Sequence, residues 1–497
     1  MIPPLAPDTL MLLAVAIPFA AAALIPLFHR WPNLRELITL SAAAILVVGV
    51  WSLAGPVLDG ARPERQVLEI VPGFVLALAI EPLGMLFALV AGSLWLVNSI
   101  YSIGYMRANA EPRQTSYYVC FAVALGSTMG IAFAKNLVTL FLFYELLTLS
   151  TYPLVVHKAT EEAVRAGRTY LVLLLGSSML LLLPAIFGTW LLAGTTDFKA
   201  GGILPADLSA TLLAVLLALY VFGIGKAAVM PLHFWLPAAM VAPTPVSALL
   251  HAVAVVKAGV FSILKVIVAV FGVERLAASG AASWLVWVAG FTVIAASLIA
   301  LRQDNLKKRL AYSTVSQLSY IILAAAVLTP ISVVGAALHI AAHAVAKITL
   351  FFAAGAIYTA AHKTEVSELD GIGYRMPWTM AAFAIGALGM IGLPPTAGFL
   401  GKWFMLSGAM QTDQWLPVGV IILSTVLNAA YFLPVVVRAF FPEAEPRAHA
   451  VGAAAAPDHG EAPWPMVLAL VVTAAATLVL FFVPDVPLAL SKAMLAR

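Results

Sequence analysis

Ionisable side chains stand in several stretches that are otherwise apolar. Glu145 lies in the middle of NLVTLFLFYELLTLSTYPLVV, and Lys226, Lys257, Lys265, Lys347 and Lys402 each fall inside a long apolar run. His233, His251, His339 and His343 share those runs or the interrupted stretch between them. A lysine or aspartate at the centre of a membrane costs on the order of 3 kcal/mol, so such a set points to a task. Proton exchange suits these residue types. Histidine titrates near neutral pH, and a carboxylate that approaches or leaves a lysine controls whether the amine keeps its proton. One acid cannot neutralise three central lysines, so some are neutral, hydrated or exchanging. For Glu145 two readings stand: a static pair that locks helices, or a switch that works when helices or water rearrange. Lys265, near the end of its run, is expected to snorkel.

Spacing narrows the chemistry. HIAAHAVAKITLFF puts His339, His343 and Lys347 at successive i, i+4 positions along one helix face. The His-x3-His pair lacks the glutamate and the third ligand of a zinc site, which leaves a proton relay or a polar packing seam. His251 and Lys257 are six residues apart and share no clean face, so joint action needs water. Ser313, Thr314, Ser316 and Gln317 either hydrate a path or line a polar helix contact. Lys226 is followed by Pro231, Pro237, Pro243 and Pro245, while Pro394, Pro395 and Gly398 precede Lys402. Two lysine-bearing, Pro/Gly-broken segments at corresponding places are a sequence sign of inverted repeats around a midplane ion site. Gly223 and Gly225 mimic half a dinucleotide fingerprint but follow no strand. No cofactor, metal, nucleotide, flavin or haem site is expected, so the chain reads as a transporter, not an enzyme.

The elements that must hold these residues are membrane helices. The 497 residues are 63% hydrophobic and 10% charged, against roughly a quarter charged in soluble domains. That composition excludes a soluble enzyme and a disordered chain. The net charge of +4 carries no basic run that would suit nucleic acid. Cys120 is the single cysteine, so no disulfide or all-cysteine metal site forms within the chain. A helix needs about 20 apolar residues to span the bilayer. About fourteen such segments are expected, near 8–28, 36–55, 78–106, 115–134, 136–157, 168–194, 208–230, 244–270, 281–301, 309–329, 331–360, 376–408, 415–441 and 463–484. The first reads as an uncleaved span, and 443–463 as a flexible loop. Fifteen bases fall in loops after odd-numbered spans and seven on the opposite side. The positive-inside rule then predicts both termini outside, in a multi-pass protein of a bacterial-type cell membrane.

Five blocks carry a family resemblance: TLFLFYELLTLSTYPLV, PLHFWLPAAMVAPTPVSALLHAVAVVKAGVF, DNLKKRLAYSTVSQLSY, HIAAHAVAKITLFF and LPPTAGFLGKWF. In this order, from about residue 80 to 410, the chain resembles the proton-conducting antiporter family. That family includes antiporter-like subunits of respiratory complex I and large subunits of Mrp-type multisubunit Na+/H+ antiporters. The resemblance implies an all-α fold of about fourteen transmembrane helices with two inverted five-helix repeats, spans 4–8 and 9–13, and broken helices seven and twelve. The implied divisions are 1–110 for helices 1–3, 115–270 and 281–441 for the repeats, and 442–497 for a cytoplasmic loop and helix fourteen. It also implies proton-transfer roles for Glu145, Lys226, Lys257, His343, Lys347 and Lys402, beside the His251 and His339 read from spacing. Lysine at 402 and an end soon after helix fourteen make the pattern most like the shorter kind of Mrp-type antiporter protein, without the extra domains of the largest. His251 with Lys257 is also similar to the larger members. The implied partners are other membrane subunits of a hetero-oligomeric complex, protons, Na+ and lipid, with no nucleic acid. Membership in a redox complex or in an inorganic-carbon uptake complex is the alternative.

Overall fold

The computed structural model describes residues 6–71, 74–441 and 460–495. Among them, eleven helices are long and apolar enough to cross a membrane. Spans one to six are Pro7–Phe28, Pro32–Leu58, Pro82–Ala108, Gln114–Ala132, Leu137–Val155 and Glu161–Ala193. Spans eight, nine and eleven are Val246–Phe271, Ser283–Leu301 and Pro330–Ala361, and spans thirteen and fourteen are Trp415–Phe440 and Trp464–Phe482. The remaining three expected segments are the helix Leu306–Ala326 and two broken ones. Span seven runs as Ala210–Gly223, then irregular chain with a short 3-10 turn, then Trp235–Ala238; span twelve runs as Pro377–Ile391 and Ala397–Met410. The protein is an all-α polytopic membrane protein. The chain corrects two boundaries: span three starts at Pro82, and span six at Glu161, which draws Arg165 and Arg168 into its first turns. The loop expected at 443–463 lies outside the described residues up to 459.

Helix starts follow local chemistry. Asn136, Thr160, Ser209, Asn305 and Thr329 each accept a main-chain N–H of the first turn they precede, satisfying a donor that has no intrahelical partner. The breaks follow from proline and close packing. Prolines at 231 and 243 deny main-chain donors around span seven, and span eight crosses the break at Gly259, where any Cβ would collide with Ala227. Gly398 plays the same part in span twelve, seated against the Gly389 carbonyl.

Burial divides the spans. Every residue in the apolar windows of spans eight and eleven is buried, against 33–39% in spans one, two, six, thirteen and fourteen. The two spans that carry His251, Lys257, Lys265, His339, His343 and Lys347 are thus packed wholly inside the protein. Span eight is wound as a π-helix over Val246–Ala254 and again over Ile267–Phe271, a geometry common at functional sites. One element was not expected from the sequence: an antiparallel hairpin, β1 (Glu64–Val71) with β2 (Phe74–Ala79), pairing Glu64 with Ala79 and Leu68 with Leu76. Main-chain bonds hold it to the turn between spans four and five, Ala79 N–H to Phe133 O at 2.7 Å. It has little apolar alternation of its own, because Val67 and Leu68 stay exposed.

Candidate functional site

The first break holds Lys226 in its 3-10 turn, fully buried. Its ammonium donates to Tyr144 O at 2.8 Å and Thr148 Oγ1 at 2.5 Å, and sits 3.2 Å from the centre of the Tyr144 ring. All three partners lie on span five. Glu145, the next residue, is the acid whose charge Lys226 feels. The two form no ion pair within 4 Å among the described residues, and the side-chain donor beside the carboxylate is Ser178 of span six. The lysine is held by neutral groups, with the acid outside ion-pair distance.

Lys257 begins the α-helical part of span eight. It donates to Ala252 O at 3.0 Å and meets His343 Nδ1 directly. His251, expected to act with it, lies elsewhere: its ring is 6.3 Å from Tyr170 and 6.1 Å from Trp235, with both nitrogens unpartnered among the described residues. From His343 the polar line continues along span eleven. The His343 and His339 rings stack at 5.9 Å, and His339 Nε2 meets Gln317 Oε1 at 2.8 Å. Gln317 Nε2 donates to Met390 O at 3.3 Å, and Lys402 Nζ donates to that same carbonyl at 3.2 Å. Lys257, His343, His339, Gln317, Met390 O and Lys402 thus form one chain of contacts across spans eight, eleven, ten and twelve.

Lys402 closes the second break. Besides Met390 O it donates to Ile391 O at 2.8 Å and Thr425 Oγ1 at 3.3 Å, with the Tyr320 ring 4.8 Å away. The carbonyls at a helix end have no intrahelical donor and carry its negative dipole end, so a cation is favoured there. Lys347 shares the face of the two histidines, but its ammonium turns to span ten, to Ser313 Oγ at 2.5 Å and Leu310 O at 3.4 Å. Lys265 does not snorkel to water. It is 1% exposed, donates to Ala134 O at 2.8 Å and pairs with Glu81 at 3.2 Å. His233 packs against Phe234 and Tyr312 and touches no member of the chain. Asn428, Thr425 and Tyr320 were not singled out from the sequence; Thr425 and Asn428 stand three apart on span thirteen, and that i, i+3 polar pair was the signal available.

At the end of span five, beyond the membrane helices, His157 Nε2 lies 3.7 Å from Glu111. Burial, aided by the Arg113 charge, lowers His157 to about 4, while burial raises the Glu111 carboxyl.

Residues 134–428 match the family described as NADH:quinone oxidoreductase/Mrp antiporter, TM. The chain belongs to that family. Among curated relatives, it is 32% identical to NADH-quinone oxidoreductase subunit N of Desulforudis audaxviator (strain MP104C) over 87% of this chain and 86% of the relative. It is 30% identical to Hydrogenase-4 component B of Escherichia coli (strain K12) over 74% of this chain, but spans only 57% of that longer protein. Its fold matches a chain of the Mrp complex from Dietzia sp. DQ12-45-1b with a TM-score of 0.84 at 22% identity, over 99% of this chain and 97% of that one. The family covers both breaks and every ionisable residue of the polar chain. The protein is an antiporter-like membrane subunit of the Mrp and complex I type.

Proposed function

We propose that this chain is the proton-translocating subunit of a multisubunit monovalent cation/proton antiporter, with Na+ as the counter-cation, in a bacterial-type cell membrane with both termini outside. Other membrane subunits are its partners. The observation that carries this reading is the buried row Lys257, His343, His339, Gln317 and Lys402, in which Lys257 meets His343 and His339 meets Gln317, the two imidazoles stand 5.9 Å apart, and Gln317 and Lys402 share the Met390 carbonyl. Imidazoles and amines exchange protons near neutral pH, water bridges the steps between them that lack a hydrogen bond, and no substrate-shaped cluster of other polar groups competes for the space among the described residues. Glu145 and Lys226 act as the switching pair, separated in the present arrangement and joined when span five or the 3-10 turn moves. His251 feeds Lys257 through water, and Lys347 sets the local charge beside His343. We also propose that spans four to eight and nine to thirteen are inverted repeats over 115–270 and 281–441, flanked by 1–110 and 442–497, because each contains one lysine-bearing break. A redox complex is the second reading, favoured by the subunit N and hydrogenase component relatives.

Exchange driven by a pH gradient in vesicles holding the intact complex tests the site. Glu145→Ala and Lys226→Ala each abolish it; wild-type exchange in both would remove the switching pair. Lys402→Ala stops exchange as well, and retained activity would take that residue out of the path. The subunits that co-purify separate the two readings: small antiporter subunits support the first, iron–sulfur or quinone-site subunits the second.

A further inference from the structure

A cavity of about 850 Å³ opens on the basic face of the protein, among the ends of spans five, six, seven, ten and eleven. Five bases line it, Lys158, Arg165, Lys307, Lys308 and Lys363, with Glu162 as the one lining acid. None of the five forms an ion pair within 4 Å among the described residues. Lys307 and Lys363 donate instead to carbonyls, Ala242 O at 2.6 Å and Glu368 O at 2.5 Å. Lys158 stands 5.7 Å over the Tyr358 ring. Phe234, Met240, Val241 and Ala354 give the lining an apolar part beside neutral polar groups such as Thr160, Gln303 and Asn305, and Phe234 is 57% exposed although it is aromatic and lies in a helix break.

Cations concentrated in a concave wall with few acids make a strong local positive potential. The cavity falls in the size range that encloses a whole small-molecule ligand, far more than one phosphate ion fills. An apolar wall beside the bases asks for a ligand with both characters. Basic pockets between membrane helices, at headgroup depth, suit anionic lipid. We infer that this cavity is a binding site for an anionic phospholipid, its phosphate held by Lys158, Lys308 and Lys363 and its glycerol and upper acyl carbons against Phe234 and Met240. The site is separate from the Lys257–Lys402 line and stands whether or not that line conducts protons.

The test uses the protein within its purified complex, titrated with phosphatidylglycerol and read by native mass spectrometry. Lys308→Gln with Lys363→Gln removes two lining charges. Arg168→Gln with Arg302→Gln removes two from the same face that do not line the cavity. At about 1 kcal/mol per base near an anionic headgroup, the first pair weakens lipid retention about thirtyfold, while the second changes it less than about threefold. Lys308→Arg with Lys363→Arg restores retention, showing that charge and not lost folding is at issue. Equal losses in the two Gln pairs, or no loss in either, would overturn the site. Displacement of the lipid by inorganic phosphate at matched concentration would show that a free anion is the occupant, and the lipid assignment would fall.

Discussion

The two helix breaks each hold a buried lysine, yet they solve the problem in opposite ways. Lys226 sits in the irregular turn itself and takes its partners from another helix, Tyr144 and Thr148 of span five, beside an acid. Lys402 sits one turn beyond its break and caps the carbonyls of Met390 and Ile391, with no acid in contact among the described residues. The first amine is tied to a separate element, span five. The second is tied to its own broken span and wired to the histidines through a shared carbonyl. A lysine held by a neighbouring helix beside a carboxylate is built to change state; one that completes a helix terminus is built to keep its place. In the proposed function, switching belongs to the first break and conduction to the second.

Lys257 is the point where span eight, next to the first break, meets the histidine line of the second. Lys257→Met keeps a similar volume and removes the exchangeable proton. Exchange in vesicles should fall by about a hundredfold or more, the size expected for losing an essential proton-transfer group. A loss of less than about fivefold would mean that the regions communicate by another route.

Gln317 tests the wiring of the second region alone. Gln317→Leu removes the contact to His339 and the donor to Met390 O, while Lys402 and Asn428 still serve that carbonyl. Exchange should drop about tenfold, near the free energy of one or two buried hydrogen bonds, with the complex intact on size exclusion. Unchanged exchange would make Gln317 a packing residue and leave water as the link.

Acid should separate the flanks of the two regions. His157 follows span five, and its folded value near 4 lies below the ordinary ~6.5 of histidine. As pH falls between those values the unfolded chain takes up a proton that the folded chain refuses. The stability from neutral His157 is therefore full above the window and lost as pH drops through it. Glu111, raised by burial, takes its proton earlier when folded and offsets part of that loss. Asp304 precedes span ten and is lowered by hydrogen bonds from Ser367, so its contribution is lost only below its usual 3.8. Thermal unfolding of wild type should weaken between pH 6.5 and 4 by a few degrees, and His157→Gln should flatten that slope. A slope that survives the substitution would place the sensitivity elsewhere.

Much of this was legible in the chain because the membrane makes charge rare. Glu145, Lys226, Lys257 and Lys402 stand out against apolar neighbours, and the prolines beside two of them mark the breaks. Three features were not legible. The neutral partners of Lys226 are one, because Tyr144 O is a main-chain oxygen with no sequence signature and Thr148 Oγ1 meets the amine only through the fold. Lys265 lies at a helix end, where snorkelling is the default, but Glu81 and the Ala134 carbonyl bury it. Gln317 read equally as path or packing, since only tertiary contact shows its two ends on His339 and Met390.

The finest test compares two threonines of like chemistry. Thr148 Oγ1 is one of two hydrogen-bond acceptors for Lys226, whereas Thr425 Oγ1 is the longest of three for Lys402. Replacing either with valine keeps the shape and deletes one acceptor. A buried ammonium left with one protein acceptor loses more than one left with two carbonyls, because an unmet charged donor carries its own desolvation cost. Thr148→Val should therefore slow exchange about fivefold and Thr425→Val less than about twofold, measured in the same vesicles. Equal effects would mean that the second lysine depends on its side-chain partner as much as the first, and the division into a switching break and a fixed one would not hold.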